Sequence, residues 1–302
     1  MDLPHRIGRP LSLHASLFKI QGGIRTYPMS DPFPALTAAF NDPPRTIKHA
    51  VFDFDGTLSW LRHGWPGMML DVFASHLPPA EPAAREAVRA ELLRLVMALN
   101  GKPTIFQIHA FGRYAATRKL SVPESEPLRQ AYQDLLDRHI AERSERVRRR
   151  EVAEDAYVVA GARRLLEYLQ SMRVRLSVLS STVEHRVREE ADLLGLAHYF
   201  EGRIYGSPLD PSGFSKRAVF ERILHADGIS GDGLLAFGDG PVEIADARHL
   251  GGIAVAVCTD EHVNGSGECD PLKREQLLEA GAHAVLPDFT QAPELLAPLF
   301  RK

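Results

Sequence analysis

Cysteine is scarce in this chain: two residues, Cys258 and Cys269, among 302. Two thiols cannot build the disulfide framework that small secreted scaffolds depend on. They fit a reducing compartment and leave room for a single bridge. Long apolar runs are missing as well. No stretch approaches the roughly eighteen residues of a membrane-spanning helix, and residues 11–20 are too broken by polar groups for a signal-peptide core. We therefore expect a cytoplasmic protein without a membrane partner. Nor is there an excess of one charge: 36 Lys and Arg face 39 Asp and Glu, a formal net charge of −3. That balance gives no footing for nucleic-acid binding through bulk positive field. The five arginines between Arg143 and Arg150 are interleaved or flanked by Glu142, Glu145 and Glu151, so they read as a solvated helix face. Cys258, His262, Cys269 and His283 do not have zinc-site spacing. Glycine-rich pieces such as 231–233 and 265–267 lack the lysine of a nucleotide-binding phosphate loop.

What is present is ordinary globular composition, 44% apolar and 25% charged, enough for one large domain or two smaller ones. Residues 1–46 are rich in Pro, Gly and Ser and read as an irregular arm. Met29 lies within it, so a shorter product starting there is compatible with the motifs, which all follow it. Residues 47–54 (IKHAVFDF) form an apolar, β-branched and aromatic run that stops at Asp55-Gly56-Thr57, a buried strand entering a turn. From about 66 to 150 the periodicity is helical and no strand is convincing. Four helices are expected, the second around 83–99 with Val88, Leu92, Leu95 and Val96 on one side, and the third over 104–117.

Beyond 155 the pattern alternates. Strands are expected at 174–179, 203–205, 234–237, 253–257 and 284–286. Helices are expected from Gly161, over 181–194, over 215–226 and around 242–250. Such alternation means parallel β-α-β units. The expected fold is thus α/β, a Rossmann-like parallel sheet with an inserted all-α cap: an arm at 1–46, a core of 47–58 plus 156–302, and a helical cap of 59–155.

In open α/β sheets, ligands bind beyond the carboxyl ends of the strands, and four polar signals fall there. Asp53 and Asp55 at the end of the first strand can bind a divalent cation through oxygen, or divide the work of nucleophile and proton carrier; an Asp-Gly turn is the plain alternative. Ser180, Ser181 and Thr182 follow the second strand. A hydroxyl there can hold a phosphate oxygen, while residues 181–184 (STVE) also fit a helix capping box. Lys216 opens a helix, where a cation opposes the dipole and calls for a carboxylate or a bound phosphate, unless it is simply solvated. Asp239 and Glu243, in Gly238-Asp-Gly-Pro-Val-Glu243, add two further acids that would repel one another without a metal or a lysine.

The order Asp53-Phe-Asp55-Gly-Thr57, then a strand ending in Ser180, then Lys216, then Gly238-Asp239-x-x-x-Glu243 resembles the haloacid dehalogenase superfamily of phosphohydrolases, over about residues 47–290. The stretch from 194 to Lys216 is similar to phosphoglycolate-phosphatase-like members, and the insertion after the first motif stands where those members carry a C1 cap. The resemblance implies a phosphatase acting on a small phosphorylated metabolite. It implies Asp53 as nucleophile, Asp55 as acid and base, and Ser180 and Lys216 as phosphate holders. It also implies Mg2+ held by Asp53, Asp239 and the backbone carbonyl of Asp55. Glu243 stands where many members carry Asp, so it either reaches the metal through water or pairs with Lys216. Asp55 argues for phosphoryl chemistry and against dehalogenation, which has no use for a proton donor there. A phosphomutase or other phosphotransferase shares the acid set, and an idle fold that only binds a phosphorylated ligand is the alternative outside enzymes. Substrate contacts are expected from Ser181 and Thr57, and from Arg62 and Arg113 of the cap, with His63, Trp65, Lys102 and Gln107 as further residues facing the site.

Overall fold

The computed structural model describes residues 46–300 apart from residue 211. The expected arm at 1–46, with Met29, lies outside the described residues except for Thr46. In chain order the elements are β1 His49–Phe52, α1 Trp65–Ala74, α2 Pro82–Met97, α3 Thr104–Thr117, α4 Ser125–Arg148, α5 Ala162–Ser171, β2 Arg175–Val183, α6 Glu184–Leu193, β3 Ile204–Ser207, α7 Lys216–Asp227, β4 Leu234–Gly238, α8 Pro241–His249, β5 Ile253–Val257, α9 Pro271–Glu279, β6 Ala284–Leu286 and α10 Ala292–Leu296. No described helix is long and apolar enough to cross a membrane.

The six strands form one parallel sheet in the order β3-β2-β1-β4-β5-β6. Both faces are covered, which explains why β4 and β5 are apolar throughout and β1 is so after His49. Phe52, Val178, Phe237 and Val255 point into one layer; Val51, Leu179, Ala236 and Ala254 point into the other. Phe52 and Phe237 stack across the centre with ring centroids 4.5 Å apart. The strand order reverses direction between β1 and β4. The crevice beyond their carboxyl ends is where a doubly wound sheet binds its ligand.

Helices α1 to α4 hold a separate apolar cluster that includes Met69, Phe73, Val96, Phe111 and Tyr132. The chain leaves and re-enters the sheet region side by side: Trp60 N donates to the Tyr157 carbonyl at 2.8 Å and Val159 N to the Leu58 carbonyl at 3.0 Å. Arg143 of α4 braces the outgoing strand of this pair, donating to the Leu61 and His63 carbonyls at 2.5 and 3.0 Å.

Two expectations are corrected. β2 runs through Val183 rather than stopping at 179, so α6 begins at Glu184 and Ser181 caps nothing. The reason is tertiary: β3 offers a pairing partner, Ser207 for Val183, after a register shift. Second, α9 and α10 follow β5, where no helix was expected; Asp270 caps α9, its side chain accepting from Leu272 N and Lys273 N at 2.9 and 3.0 Å. The single bridge for which the sequence left room is present: Cys258 and Cys269 are joined in a disulfide, their Cα atoms 5.0 Å apart. The bridge closes the loop from β5 to α9.

Candidate active site

Asp53 follows β1 directly, its backbone N donating to the Phe237 carbonyl at 2.8 Å. Asp239 follows β4. The parallel pairing of β1 with β4 therefore sets these two acids side by side at the switch point. Lys216, the first residue of α7, reaches back to them. Its Nζ donates to Asp53 Oδ1 at 2.6 Å and to Glu243 Oε2 at 3.3 Å. The carboxylates called for by a cation at a helix N-terminus are thus Asp53 and Glu243. Glu243 is fixed from its other oxygen, which accepts from Gly240 N at 2.8 Å.

Burial pushes the Asp53 carboxyl well above the ordinary carboxylate range; Lys216 opposes this, and Glu243 and Asp239 add to it. Burial likewise raises Asp239, to about 7, against the pull of Lys273. For Lys216 burial works against the charge, but Asp53 and Glu243 outweigh it and hold the ammonium above its usual range. Acids crowded this way are short of positive charge. Asp53, Asp239 and Glu243 each offer a carboxylate oxygen, and these oxygens lie within 4.8 Å of one another. An all-oxygen donor set of this kind suits a hard divalent cation. Gly56, at φ +76°, leaves Asp239 its room: a Cβ there would lie 2.3 Å from Asp239 Oδ2.

Asp55 is held on the other side of the cleft. Its Oδ1 pairs with Arg62 Nη1, and its Oδ2 accepts from Thr182 Oγ1 at 2.7 Å and from Ser180 Oγ at the long distance of 3.5 Å. Arg62 is itself clamped by Glu190 of α6, Nη1 to Oε2 at 2.5 Å and Nη2 to Oε1 at 2.8 Å. Burial raises the Glu190 carboxyl, with Arg62 opposing. Ser180 Oγ also accepts from Thr182 N at 3.0 Å.

These residues open onto a cavity of about 1230 Å³ between the sheet edge and helices α1, α3 and α4. Asp53, Asp55, Ser180, Ser181, Lys216, Asp239 and Glu243 line it, as do Arg62, His63, Trp65, Lys102 and Gln107. Asn100, between α2 and α3, crosses the cleft and donates to the Asp239 carbonyl at 3.1 Å. Two expected contacts are not brought here. Arg113 is exposed and does not line the cavity, because Gln107, Ile108, Phe111 and Tyr114 make the buried face of α3. Thr57 is fully buried below the turn and does not line the cavity either; its hydroxyl has no hydrogen-bond partner among the described residues. Arg62 lines the cavity, but its guanidinium is already engaged by Asp55 and Glu190. Glu190, Glu261 and Lys273 were not singled out from sequence, and Thr182 was named only as one of the three hydroxyls after the second strand. The Asp270-Pro271 pair, an N-cap followed by Pro at N1, was the available signal for the helix that carries Lys273.

The family model for haloacid dehalogenase-like hydrolases matches residues 47–251. The chain belongs to this family. No curated protein matches it. Among solved structures it is similar to a haloacid dehalogenase-like protein of unknown function from Agrobacterium tumefaciens, at 17% identity and TM-score 0.60, covering 84% of this chain and 100% of the other. It is similar to a predicted phosphoglycolate phosphatase from Haemophilus somnus, at 16% identity and TM-score 0.54, covering 82% and 97%. It is also similar to a β-phosphoglucomutase from Clostridium difficile, at 13% identity and TM-score 0.52, covering 84% and 97%. At these identities the likeness is one of fold: a haloacid dehalogenase-type parallel sheet carrying a helical insertion between β1 and β2.

Proposed function

We propose that this hydrolase is a Mg2+-dependent phosphatase that cleaves a small phosphate monoester through a phosphoaspartate on Asp53. The observation that carries the reading is the contact of Lys216 Nζ with Asp53 Oδ1 at 2.6 Å, with Asp239 and Glu243 beside it at the same sheet edge. An Asp53 oxygen attacks phosphorus and the bond to the leaving oxygen breaks. Asp55 gives that oxygen its proton. Asp55, now a carboxylate, takes a proton from a water that attacks the phosphoaspartate, and the bond from phosphorus to Asp53 breaks. Lys216 and Ser180 hold the phosphoryl oxygens, and Lys216 also aims the nucleophile. Asp53 and Asp239 would hold Mg2+, with the Asp55 carbonyl as a further oxygen and Glu243 nearby. The ion, when bound, offsets repulsion between an anionic substrate and an anionic nucleophile.

We further propose that residues 59–155 act as a cap over a core of 47–58 plus 156–302, excluding water and selecting the leaving group. His63, Trp65, Lys102 and Gln107 face that group across the cavity. The one lysine among them favours a metabolite with an anionic function besides its phosphate. Arg62 serves Asp55 in this reading, not the substrate. The test is phosphate release from an aryl phosphate and from a panel of phosphorylated metabolites, with Mg2+ and with EDTA. Release that needs Mg2+ and is lost in Asp53→Asn is expected. Release that survives either treatment overturns the mechanism, and conversion of a sugar phosphate to its isomer without release points to a mutase.

A further inference from the structure

Lys273 has no exposed surface at all, a condition that lysine tolerates only when paired. Its ammonium lies 2.5 Å from Glu261 Oε1, 3.4 Å from both the carbonyl oxygen and the Oγ1 of Thr259, and 3.5 Å from Asp239 Oδ2. Neither Lys273 nor Glu261 nor Thr259 belongs to the motifs around Asp53, Ser180, Lys216 and Asp239. Each partner is anchored independently. Thr259 Oγ1 donates to the Gly56 carbonyl at 3.1 Å, and Glu261 Oε2 accepts from Gly64 N at 2.8 Å, at the start of α1. The disulfide between Cys258 and Cys269 closes the loop that carries Thr259 and Glu261 and joins it to the Asp270 cap of α9. The ammonium is therefore delivered to Asp239 by a braced frame and not by a flexible stem.

The charges point the same way. Asp53, Asp239, Glu243 and Glu261 contribute four carboxylates, and Lys216 and Lys273 two ammonium groups. Carboxylates outnumber ammonium groups in this cluster, so positive charge is still called for. Lys216 serves Asp53 and Glu243; Lys273 serves Asp239.

We propose that Lys273 is a positioning residue of the metal centre, held by Glu261 and Thr259 so that it fixes the carboxylate of Asp239 for the cation. The inference rests on the Mg2+ reading above. Groups behind metal ligands typically change metal affinity about 10–100-fold when removed. Charge alone predicts the opposite sign, because deleting a cation next to the site makes it more attractive to Mg2+.

The experiment is calorimetric titration of Mg2+ into the metal-free full-length chain, wild type, Lys273→Met, Glu261→Gln and the double variant, each checked for folding by circular dichroism. Lys273→Met is expected to weaken Mg2+ binding about tenfold or more, Glu261→Gln by a smaller factor in the same direction, and the double variant no further than Lys273→Met. Unchanged or tighter binding in Lys273→Met overturns the proposal. Should that variant not fold, Glu261→Gln decides: it keeps the side-chain shape and Lys273 itself, and unchanged affinity there overturns the proposal equally. A wild-type chain that binds no Mg2+ overturns the metal reading and this inference with it, and is told apart by the flat wild-type titration.

Discussion

Lys216 and Asp53 are 163 residues apart in sequence, yet the Lys216 ammonium donates to Asp53 Oδ1 at 2.6 Å in a setting where both side chains are buried. Two ions so placed cost solvation, and their contact offsets that cost only while both are present. Lys216→Met should therefore lower kcat by about 10²–10³-fold, the scale on which one preorganised group at a transition state acts. Lys216→Arg should not restore it, since a planar fork cannot replace a compact ammonium between Asp53 and Glu243. Steady-state kinetics on an aryl phosphate checks both.

Arg62 holds Asp55 and Glu190 at once. Arg62→Met leaves Glu190 buried without a cation and should destabilise the fold by about 3–5 kcal/mol. Pairing it with Glu190→Met should recover most of that stability but not the activity, because Asp55 still lacks its anchor. Urea unfolding and kcat, measured on the same samples, separate the two effects. Equal recovery of activity would show that Arg62 does not act through Asp55.

Gly56 stands where any Cβ would strike Asp239. Gly56→Ala meets both that contact and a positive φ that side chains disfavour. It should shift Asp239 and raise the Mg2+ concentration needed for half-maximal rate by about tenfold or more. A Mg2+ titration of the rate reads this directly.

Burial lifts the Asp239 carboxyl to about 7 in the metal-free protein. A cation requires the carboxylate, so below that pH a proton competes with the metal. Mg2+ affinity should fall at least tenfold for each pH unit below 7, because Asp53, raised as well, must also give up its proton to hold the ion. The sign follows from the raised carboxyl: ionisation, and with it metal binding, is gained as pH rises. Calorimetric titrations at pH 6, 7 and 8 check it; affinity independent of pH over that range contradicts it.

Much of the site could be read from the chain because β1 and β4 are apolar runs that end in acids, and nothing in a buried strand calls for an acid at its tip. Lys216 was legible for a similar reason, a cation set against a helix dipole. Two of the surprises involve partners distant in sequence. Residues 181–184 carry the letters of a capping box, but pairing with β3 extends β2 through Val183, and Thr182 hydrogen-bonds Asp55. Arg62 lines the cavity as expected, but its engagement by Glu190, 128 residues away, could not be foreseen. Lys273 was passed over with its helix, although Asp270-Pro271 announced one. Arg113 is different: the buried spacing of Gln107, Ile108, Phe111 and Tyr114 places it on the outer face, and that period was there to be counted.

The most direct measurement is acid quench of the protein during turnover of an aryl phosphate with Mg2+, followed by mass spectrometry of the peptide that contains Asp53. A phosphoryl group on Asp53, labile to hydroxylamine and absent from Asp53→Asn and from EDTA-treated protein, is the predicted result. Phosphate release without any phosphorylated Asp53, or with the group carried on another residue, would contradict it.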